Sequence, residues 1–444
     1  MAFGTPSDTL QDFTNNEEAY KIWYATAIVE TLYRKSPMFE KLKKKSIATG
    51  GKEYREPIAL RNPNAVGARG EGESLPEGRA AQYVNSVITA KYNYCRIAAS
   101  NVAEAHSASS KGAWARVKTE QLKRASMDFA ENIERQLWGE GTGILCECLG
   151  TPVDNGDDNY TVTVVGYGDT ANYTGHLLHD IRYAIEPNMW LVWGTTAELG
   201  GASAAGAGYV TDVAADGSSF SVTKTAGAAP GDDDLFVRGD GVASGSHSYN
   251  SEMMGVTGVF SDADGTFQGI TNSGGDQPID EWRAKQFENP DAAGEERPID
   301  EIQMQAIVDY VDYETTGDCE MIALHPVTRR AYAEALKQRN GERCMPTKVK
   351  GGYDRSYLTF HASGRDLPLV ECRHAPLRRM FFFGADSMKL YMVKGFHWDE
   401  SNGGMWKWDG QTDALTGFGK MYCNSGTSNR KACASYDDLA VENL

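Results

Sequence analysis

The sequence predicts an α+β chain in which a long helix, a two-stranded finger and a β-rich insertion are joined to a mixed body. Three stretches carry this prediction. Residues 110–139 have the spacing of an amphipathic helix, residues 52–97 hold two strand-like runs around a polar tip, and residues 160–236 are short apolar runs separated by turn residues. The helix lies between the finger and the sheet-rich region, so it is predicted to act as the spine of the molecule.

Length and composition indicate a globular protein. Of the 444 residues 41% are hydrophobic and 10% aromatic, enough for about two to four domains. The net charge of −17 disfavours nucleic acid or an anionic membrane as the main partner, because both recruit basic surfaces. No apolar run approaches the roughly 18 residues of a membrane span, and the N-terminus lacks the pattern of a signal peptide. We therefore expect a protein made and kept in a cytosol, with no membrane partner.

A search for chemistry finds no convincing site. The eight cysteines are scattered and are expected to be reduced thiols, and the pair Cys146 and Cys148 has no second pair or nearby histidine to complete a zinc site. His176 and His179 could hold a metal, but one such pair is more often incidental. No Walker loop, nucleophile elbow or H-E-x-x-H motif occurs. The sequence therefore predicts no catalytic residue, no metal, no cofactor and no enzyme activity.

The first 97 residues are predicted to form an arm and a finger. Residues 17–34 are helical in pattern and precede a lysine-rich run, but this segment is too short to fold alone and must lie on another surface. Residues 52–60 and 84–97 favour strands, and a finger of two long strands is stable only against a neighbouring surface. Its tip has a balanced set of charges suited to pairing across an interface: Arg61, Arg69 and Arg79 against Glu71, Glu73 and Glu77. A solvated loop is the alternative interpretation of the same residues.

The spine helix is predicted over 110–139. Its apolar residues recur at three- to five-residue steps with charged residues between them, and a helix of roughly 27 residues would be about 40 Å long. Ser109 or Ser110 can cap its start, and Gly139 can end it in a left-handed turn.

The rest of the chain is predicted to be an inserted module followed by a mixed domain. The short runs within 160–236 indicate a small β-barrel or sandwich. After it, the pattern predicts two helices and several strands, then a Gly- and Trp-rich loop and a final strand: helices 300–313 and 327–339, strands 319–324, 367–372, 380–383 and 388–393, loop 397–417 and strand 418–423.

Motifs in the second half of the chain resemble a known family. They are 252–260 (EMMGVTGVF) followed by 266–273 (TFQGITNS) and Trp282, the helix–strand–helix pattern 300–336 with 325–332 (HPVTRRAY), and 369–372 (LVEC) leading to 383–386 (FGAD). In this order, and with the arm, finger and spine before them, they resemble the major capsid proteins of tailed phages, which have the HK97-like fold.

The resemblance implies a division of the chain into the parts of that fold. It assigns residues 1–50 to the N-terminal arm, 51–95 to the extended E-loop, 96–150 to the P-domain with the spine helix, 152–250 to an inserted β-barrel-like module, 251–387 to the A-domain, 388–423 to the return strands and loop of the P-domain, and 424–444 to the C-terminal A-domain strand and tail.

The resemblance also implies a structural role. Such a protein self-assembles into hexamers and pentamers that form an icosahedral head shell around double-stranded DNA, with a scaffolding protein, a portal and in some cases a decoration protein as partners. It is assembled in the host cytoplasm and ends in the virion. Inter-subunit contacts are then expected at the six charged E-loop residues and in the P-domain loop, at Trp398, Asp399, Glu400, Trp406 and Trp408.

Two departures from the family type and two alternatives follow from the same residues. The arm starts almost at Met1, which favours a separate scaffold, and the tip 61–79 has no lysine for the family's covalent cross-link.

An encapsulin-type compartment shell is the alternative within the fold, and the inserted module and the Trp-rich loop favour the phage. A carbohydrate-binding protein or hydrolase, with Trp398, Trp406 and Trp408 as a sugar platform, is the alternative from another class.

Overall fold

A computed structural model describes most of the chain. The described residues are 37–46, 53–62, 65–74, 76–78, 80–101, 117–164, 180–201, 204–240, 246–273, 279, 281–288, 297–314, 317–340, 359–385, 387–400, 405–408 and 413–441. They fall into two compact units, a smaller one that includes 96–128 and 399–418 and a larger one that includes 37–95, 129–398 and 419–441. None of the described helices is long and apolar enough to cross a membrane.

The spine helix, α2, runs from Val117 to Gln136, which confirms the predicted helix over its described part, and residues 110–116 lie outside the description. The predicted ending is wrong: Gly139 is not left-handed, and its N–H donates to the Gln136 carbonyl in a right-handed turn. The left-handed glycines are Gly141 and Gly143, with φ of 83° and 78°. Gly255 packs on this turn, so closely that a Cβ on Gly255 would lie 2.3 Å from the Gly139 carbonyl oxygen.

A five-stranded sheet packs on the C-terminal part of the spine helix, where Phe129 and Ile133 share a buried cluster with Leu390 and Met421. Its strands are β1 (Lys43–Ser46), β4 (Lys91–Ser100), β19 (Lys389–Trp398), β20 (Lys407–Trp408) and β21 (Ala414–Gly426). β1 pairs parallel with β19, so the lysine run after α1 (Pro37–Lys41) is a strand at the sheet edge. The described end of the arm therefore lies on another surface, as its length predicts.

The finger consists of β2 (Glu53–Arg61) and β3 (Gln82–Thr89), which pair antiparallel from Glu53 opposite Thr89 to Arg61 opposite Gln82. The predicted single strand 84–97 is wrong, because the chain breaks at residue 90 and β4 joins the five-stranded sheet instead. The buried positions shift by one across the break, from Ser86 and Ile88 in β3 to Asn93, Ile97 and Ala99 in β4. The strand-favouring composition is uninterrupted, which is why the two strands look like one in the sequence.

The inserted module is a small closed barrel. Its strands are β5 (Ile144–Glu147), β6 (Val153–Asp154), β7 (Asn159–Thr163), β8 (Trp190–Gly194), β9 (Gly206–Val213), β10 (Ser219–Gly227) and β11 (Leu235–Arg238), with short helices α3 (Ile181–Ala184) and α4 (Thr196–Leu199). They pair in the order β5-β11-β8-β9-β10-β7-β6, and a bridge between Cys148 and Val164 returns β7 to the end of β5. Six strands thus form a ring, which leaves them few open edges.

The barrel has apolar side chains on both surfaces of one wall. Leu191, Trp193 and Phe236 belong to a cluster to which all six ring strands contribute, which places it inside the barrel. Val192, between the first two, packs instead with Leu199 of α4 and other residues on the outer surface. Because side chains alternate along a strand, an uninterrupted apolar run such as 191–193 is what a strand buried on both faces requires.

The remaining body is a six-stranded mixed sheet. Its strands, in spatial order, are β14 (Lys285–Phe287), β22 (Cys433–Tyr436), β18 (Met380–Gly384), β15 (Cys319–Leu324), β17 (Arg365–Glu371) and β16 (Thr359–Ala362). Helices α6 (Glu301–Glu314) and α7 (Pro326–Asn340) flank β15 in the chain, and α6 packs on the sheet through buried Met304, Ile307 and Val311. The smaller elements are α5 (Val256–Val259) and the hairpin β12 (Thr266–Phe267) and β13 (Ile270–Thr271).

One turn of the spine helix carries three buried or half-buried charges that bind three distant segments. The Glu134 carboxylate accepts the N–H groups of Met38 and Phe39 (2.9 and 3.0 Å) at the start of α1. Burial raises the pKa of Glu134, although these hydrogen bonds oppose the shift. Two ion pairs complete the turn, Glu131 with Arg373 and Arg135 with Glu252.

The barrel joins the body at a narrow neck and at a second contact. At the neck, the Asn250 N–H donates to the Thr142 carbonyl (2.8 Å). At the second contact, Arg373 lies over the ring of Tyr183 from the barrel's α3 (4.9 Å), and His374 meets the same ring edge-on (6.5 Å). His374 is buried, and burial together with the Arg373 charge lowers its pKa to about 3.

We expect acid to destabilise the protein through this contact. Burial lowers the pKa of His325 to about 4 and of His374 to about 3, from 6.5. Their stabilising contribution is complete above pH 6.5 and is lost as pH falls toward 4 and 3, since only the unfolded chain then gains the protons. Each histidine contributes a slope of ~1.4 kcal/mol per pH unit in that window.

Thermal unfolding of His374→Gln from pH 7 to 4 should therefore show a shallower loss of stability than the wild type. The matched control is His361→Gln, because His361 is exposed. Burial raises the pKa of Asp437 to about 6, so this residue changes stability in the opposite direction as pH falls. It is present in the wild type and in both variants, so it does not affect the comparison. Equal slopes for the wild type and His374→Gln would contradict the prediction.

We also expect the body to fold without the barrel. The two barrel clusters share no residue with the two clusters of the body, and the two chain segments at the neck are joined by the Asn250–Thr142 hydrogen bond. The deletion is residues 144–248, with Gly143 joined to Tyr249 by a short Gly/Ser linker. Circular dichroism and size-exclusion chromatography should show a soluble, cooperatively unfolding protein of lower stability, whereas insoluble protein would show that the body depends on the barrel.

Candidate functional site

One face of the outer half of the finger is exposed among the described residues. Pro57 and Ala59 are exposed on β2, and Asn85 and Tyr83 on β3, with Tyr83 70% exposed. An isolated two-stranded hairpin is marginal in water. The finger therefore has the form of an element that is completed by a second surface.

The tip of the finger is folded on itself. Arg69 donates from Nε to the Ser74 carbonyl (3.1 Å), and the Glu73 carboxylate accepts the Gly70 N–H (2.9 Å). Gly72 has a φ of 85°, a conformation that favours glycine. These bonds give the tip a fixed shape.

The predicted charged set is only partly visible in this tip. Glu71 and Glu77 are exposed, as are Arg69 and Glu73, and no ion pair joins the tip charges among the described residues. Arg61 pairs with Gln82 through its backbone, but its side chain and all of Arg79 lie outside the described residues.

The outward face of the five-stranded sheet is aromatic and basic. Met421 and Cys423 of β21 point toward the spine helix, so Lys420 and Tyr422 point to the other side. Tyr422 meets the rings of Tyr92 (5.2 Å) and Tyr94 (6.2 Å) edge-on.

Two further residues extend this face across β19. Lys394 lies opposite Tyr422, and His397 opposite Lys420 with its ring 6.2 Å from Tyr422. Tyr92 and Tyr94 are 56% and 61% exposed. In a chain of net charge −17, this group is a local surface suited to an acidic partner. We call it the tyrosine–lysine face: Tyr92, Tyr94, Lys394, His397, Lys420 and Tyr422.

The sequence pattern contains this face, although the charge total hides it. In 91–97 (KYNYCRI) tyrosine alternates with buried Asn93 and half-buried Cys95, and in 418–423 (FGKMYC) the same period separates Lys420 and Tyr422 from buried residues. Period-two alternation identifies the side of each strand. It does not show that the two strands are neighbours.

The predicted loop residues do not form one exposed surface. Trp398 is half-buried and packs edge-on against Phe396 (5.4 Å), so its ring is not an open platform for a sugar. In the smaller unit, Asp399 accepts from Lys407 Nζ (2.8 Å). Trp408, in β20, is 68% exposed.

The other two loop residues differ in exposure. Glu400 is exposed and Trp406 is half-buried. Of the five predicted contact residues, Trp408 and Glu400 are therefore the exposed ones.

Metal and thiol chemistry find no support in the described residues. No group of three or more metal-ligating side chains occurs among them, and His176 and His179 lie outside the description. The described cysteines are free thiols, as predicted. Burial raises the pKa of Cys148, Cys319, Cys423 and Cys433 to about 12, which keeps them protonated and unreactive.

Comparison with known proteins shows the fold. No protein-family model matches the sequence, and no curated protein matches it. The capsid of cyanophage A-1(L) is 11% identical, with a TM-score of 0.56 over 96% of this chain and 99% of that one. The capsid of an empty GTA particle is 8% identical, with a TM-score of 0.52 over 97% and 100%.

A weaker similarity is to the holo-SrpI encapsulin complex from Synechococcus elongatus PCC 7942. It is 9% identical, with a TM-score of 0.44 over 97% of this chain and 96% of that one, too low to support an argument. The two stronger matches confirm the predicted α+β, HK97-like capsid fold along nearly the whole chain.

Proposed function

We propose that this chain is a tailed-phage major capsid protein that self-assembles into hexamers and pentamers, which form an icosahedral head shell around double-stranded DNA. The observation that carries the proposal is the near full-length fold similarity to the cyanophage A-1(L) capsid. The uncovered finger supports it independently, because a second subunit would supply the surface that the finger lacks.

The partner surface for the finger tip is the tyrosine–lysine face of the neighbouring subunit. The tip has three exposed acidic residues, Glu71, Glu73 and Glu77. The tyrosine–lysine face has two lysines, Lys394 and Lys420, beside aromatic rings. Aromatic and basic residues are favoured where interfaces are most buried, and opposite charges set which surfaces meet. The tip arginines, Arg61, Arg69 and Arg79, would pair with acidic groups at the rim of the same contact.

The loop of the smaller unit contributes a second contact in this proposal. Trp408 is an exposed aromatic residue, and Trp398, Asp399, Glu400 and Trp406 hold or flank its loop. An exposed tryptophan is the residue type that most often dominates a protein interface.

The division into arm (1–50), E-loop (51–95), P-domain (96–150 and 388–423), module (152–250) and A-domain (251–387 and 424–444) is part of the proposal. One refinement follows from the barrel: β5 at Ile144–Glu147 belongs to its ring, so the module would begin before residue 152.

The proposed partners are further copies of the chain, a separate scaffolding protein, a portal and a decoration protein on the outer surface. Assembly would take place in the host cytoplasm, and the final location would be the virion. The DNA would be enclosed without sequence recognition, because an acidic chain repels the phosphate backbone and lets the genome enter and leave without adhering.

Self-assembly is the first test. Electron microscopy and analytical ultracentrifugation of the purified protein, alone and with the scaffold, should show capsomers or closed shells. Denatured particles should give a single gel band near 48.5 kDa, because the tip has no lysine to form a covalent bond. A protein that stays monomeric at tens of micromolar under both conditions would contradict the proposed function.

A charge exchange tests the proposed partner surface. The tip variant Glu71→Lys with Glu77→Lys, and the face variant Lys394→Glu with Lys420→Glu, should each reduce shell yield, because like charges would then meet. Exposed ion pairs are worth ~0.2–1 kcal/mol each, and a closed shell repeats them at every contact. The combined variant should recover yield.

The matched control reverses two exposed charges on the barrel, Glu186→Lys with Asp212→Lys. It should assemble like the wild type. Thermal unfolding of all four variants reports whether each subunit is folded. If the combined variant assembles no better than the single-surface variants, the tip and the face do not pair.

A further inference from the structure

The root of the finger is held to the body by a second hairpin. The Val87 N–H of β3 donates to the Gln268 carbonyl (2.7 Å) in the turn between β12 and β13. The Gln268 side chain continues the contact: Nε2 donates to Ser86 Oγ (2.8 Å) and to the Thr427 carbonyl (2.9 Å), and Oε1 accepts the Thr427 N–H (3.1 Å). One residue thus joins the finger to the end of β21.

Gln268 adopts an uncommon backbone conformation to make this contact. Its φ is 52° and that of Gly269 is 78°, the pattern of a two-residue type I′ turn, in which Asn, Asp or Gly is the usual first residue. A glutamine there costs about 1–2 kcal/mol. A strained backbone residue is a reason to look for a function. At Gln268 the strained conformation places the side chain where both its amide nitrogen and its amide oxygen make hydrogen bonds.

The surrounding residues fit closely around this contact. Ser86 is fully buried and Ile88 is 3% exposed. A Cβ on Gly426 would lie 2.3 Å from the Gln268 side-chain amide and 2.8 Å from Ile88, so only glycine leaves room for both. The hairpin, the root of β3 and the end of β21 are therefore packed as one unit.

The other strand of the finger is attached at the same level. The Glu56 carboxylate accepts from Tyr391 Oη (2.7 Å) and from Lys45 Nζ (3.0 Å). Glu56 lies directly opposite Ser86 in the ladder. The two attachments thus hold both strands at one rung, and beyond this rung the finger has exposed positions on each strand.

We propose that the Glu56–Ser86 rung, with Gln268 as its positioning residue, sets the direction of the finger in the free subunit before any neighbour is bound. The inference rests on the proposed function for its importance in assembly, but the attachment itself is a property of one subunit. The five residue-to-residue steps from Glu56 to Arg61 span about 17 Å, so a rotation of ~10° at the rung moves their end by ~3 Å. That displacement is the length of a hydrogen bond, enough to separate a tip from its partner surface.

Gln268→Gly tests the proposal, because glycine keeps the positive φ and removes only the side chain. Hydrogen exchange of the free subunit, read on peptides covering 82–89, should show the Val87 amide exchanging roughly tenfold faster, since the bonds that hold the rung closed are lost. Ser86→Ala, which removes the hydroxyl from the other side of the contact, should shift the same amide in the same direction by a smaller factor.

The matched control is Ser363→Gly. Ser363 and Gly364 form a turn with nearly the same geometry, φ of 50° and 77°, and the Ser363 hydroxyl also bonds neighbouring side chains, Asp309 and Gln305. It is remote from the finger in the sheet pairing, so finger exchange should be unchanged. In assembly, Gln268→Gly should give fewer shells, of mixed size, and Ser363→Gly should match the wild type.

Wild-type exchange of the Val87 amide in Gln268→Gly would overturn the inference, as would uniform shells in wild-type yield. A failure of the proposed function can be told apart from a failure of this inference. If the proposed function is wrong, the wild type forms no shells, but the hydrogen-exchange difference between the free subunits is still observed.

Discussion

Three distant segments of the larger unit are held by the buried charges on one turn of the spine helix. Glu134 is fully buried and holds the start of α1, while Arg135, 1% exposed, holds Glu252 after the barrel. Glu131 holds Arg373 in the loop that also contacts the barrel. Charges removed from water are tolerated only when their partners are in place, and loss of one partner costs on the order of 3–5 kcal/mol. Arm, neck and body must therefore assemble on this turn together.

This arrangement explains how a closed barrel can be inserted beside the helix without disturbing it. Entry and exit of the barrel meet at Thr142 and Asn250, a few residues from the end of the helix and from Glu252. The barrel satisfies its own backbone by ring closure and buries its own apolar clusters. Among the described residues, it meets the body at the neck and at an aromatic and histidine contact of Tyr183 with His374.

The finger, unlike the barrel, does not form a closed sheet. It has a firmly held root and an outer half with one face exposed among the described residues, which is unfavourable for a solitary monomer and useful for a subunit that is to be joined by others. The acidic tip and the tyrosine–lysine face give the two ends of such a contact opposite character although the chain as a whole is acidic. Net charge describes what the molecule repels at a distance, whereas the local grouping of side chains decides what it can bind.

The local elements were readable from the sequence because they depend on periodicity and turn residues, which are properties of neighbouring positions. Strand 319–324, helices near 301–314 and 326–340, the spine helix and the β-rich module all follow from such patterns. The errors lie where distant segments meet: Gly255 packs on the turn at Gly139, and β4 pairs in the five-stranded sheet rather than in the finger. Other features depend on residues that are up to several hundred positions apart in the sequence. They are the closure of the barrel at Cys148 and Val164, the burial of Glu134, and the contact of Tyr422 with Tyr92 and Tyr94. Period and composition identify which side chains lie on a face, but only the tertiary fold decides which faces meet, because pairing between segments depends on packing and desolvation that no local pattern records.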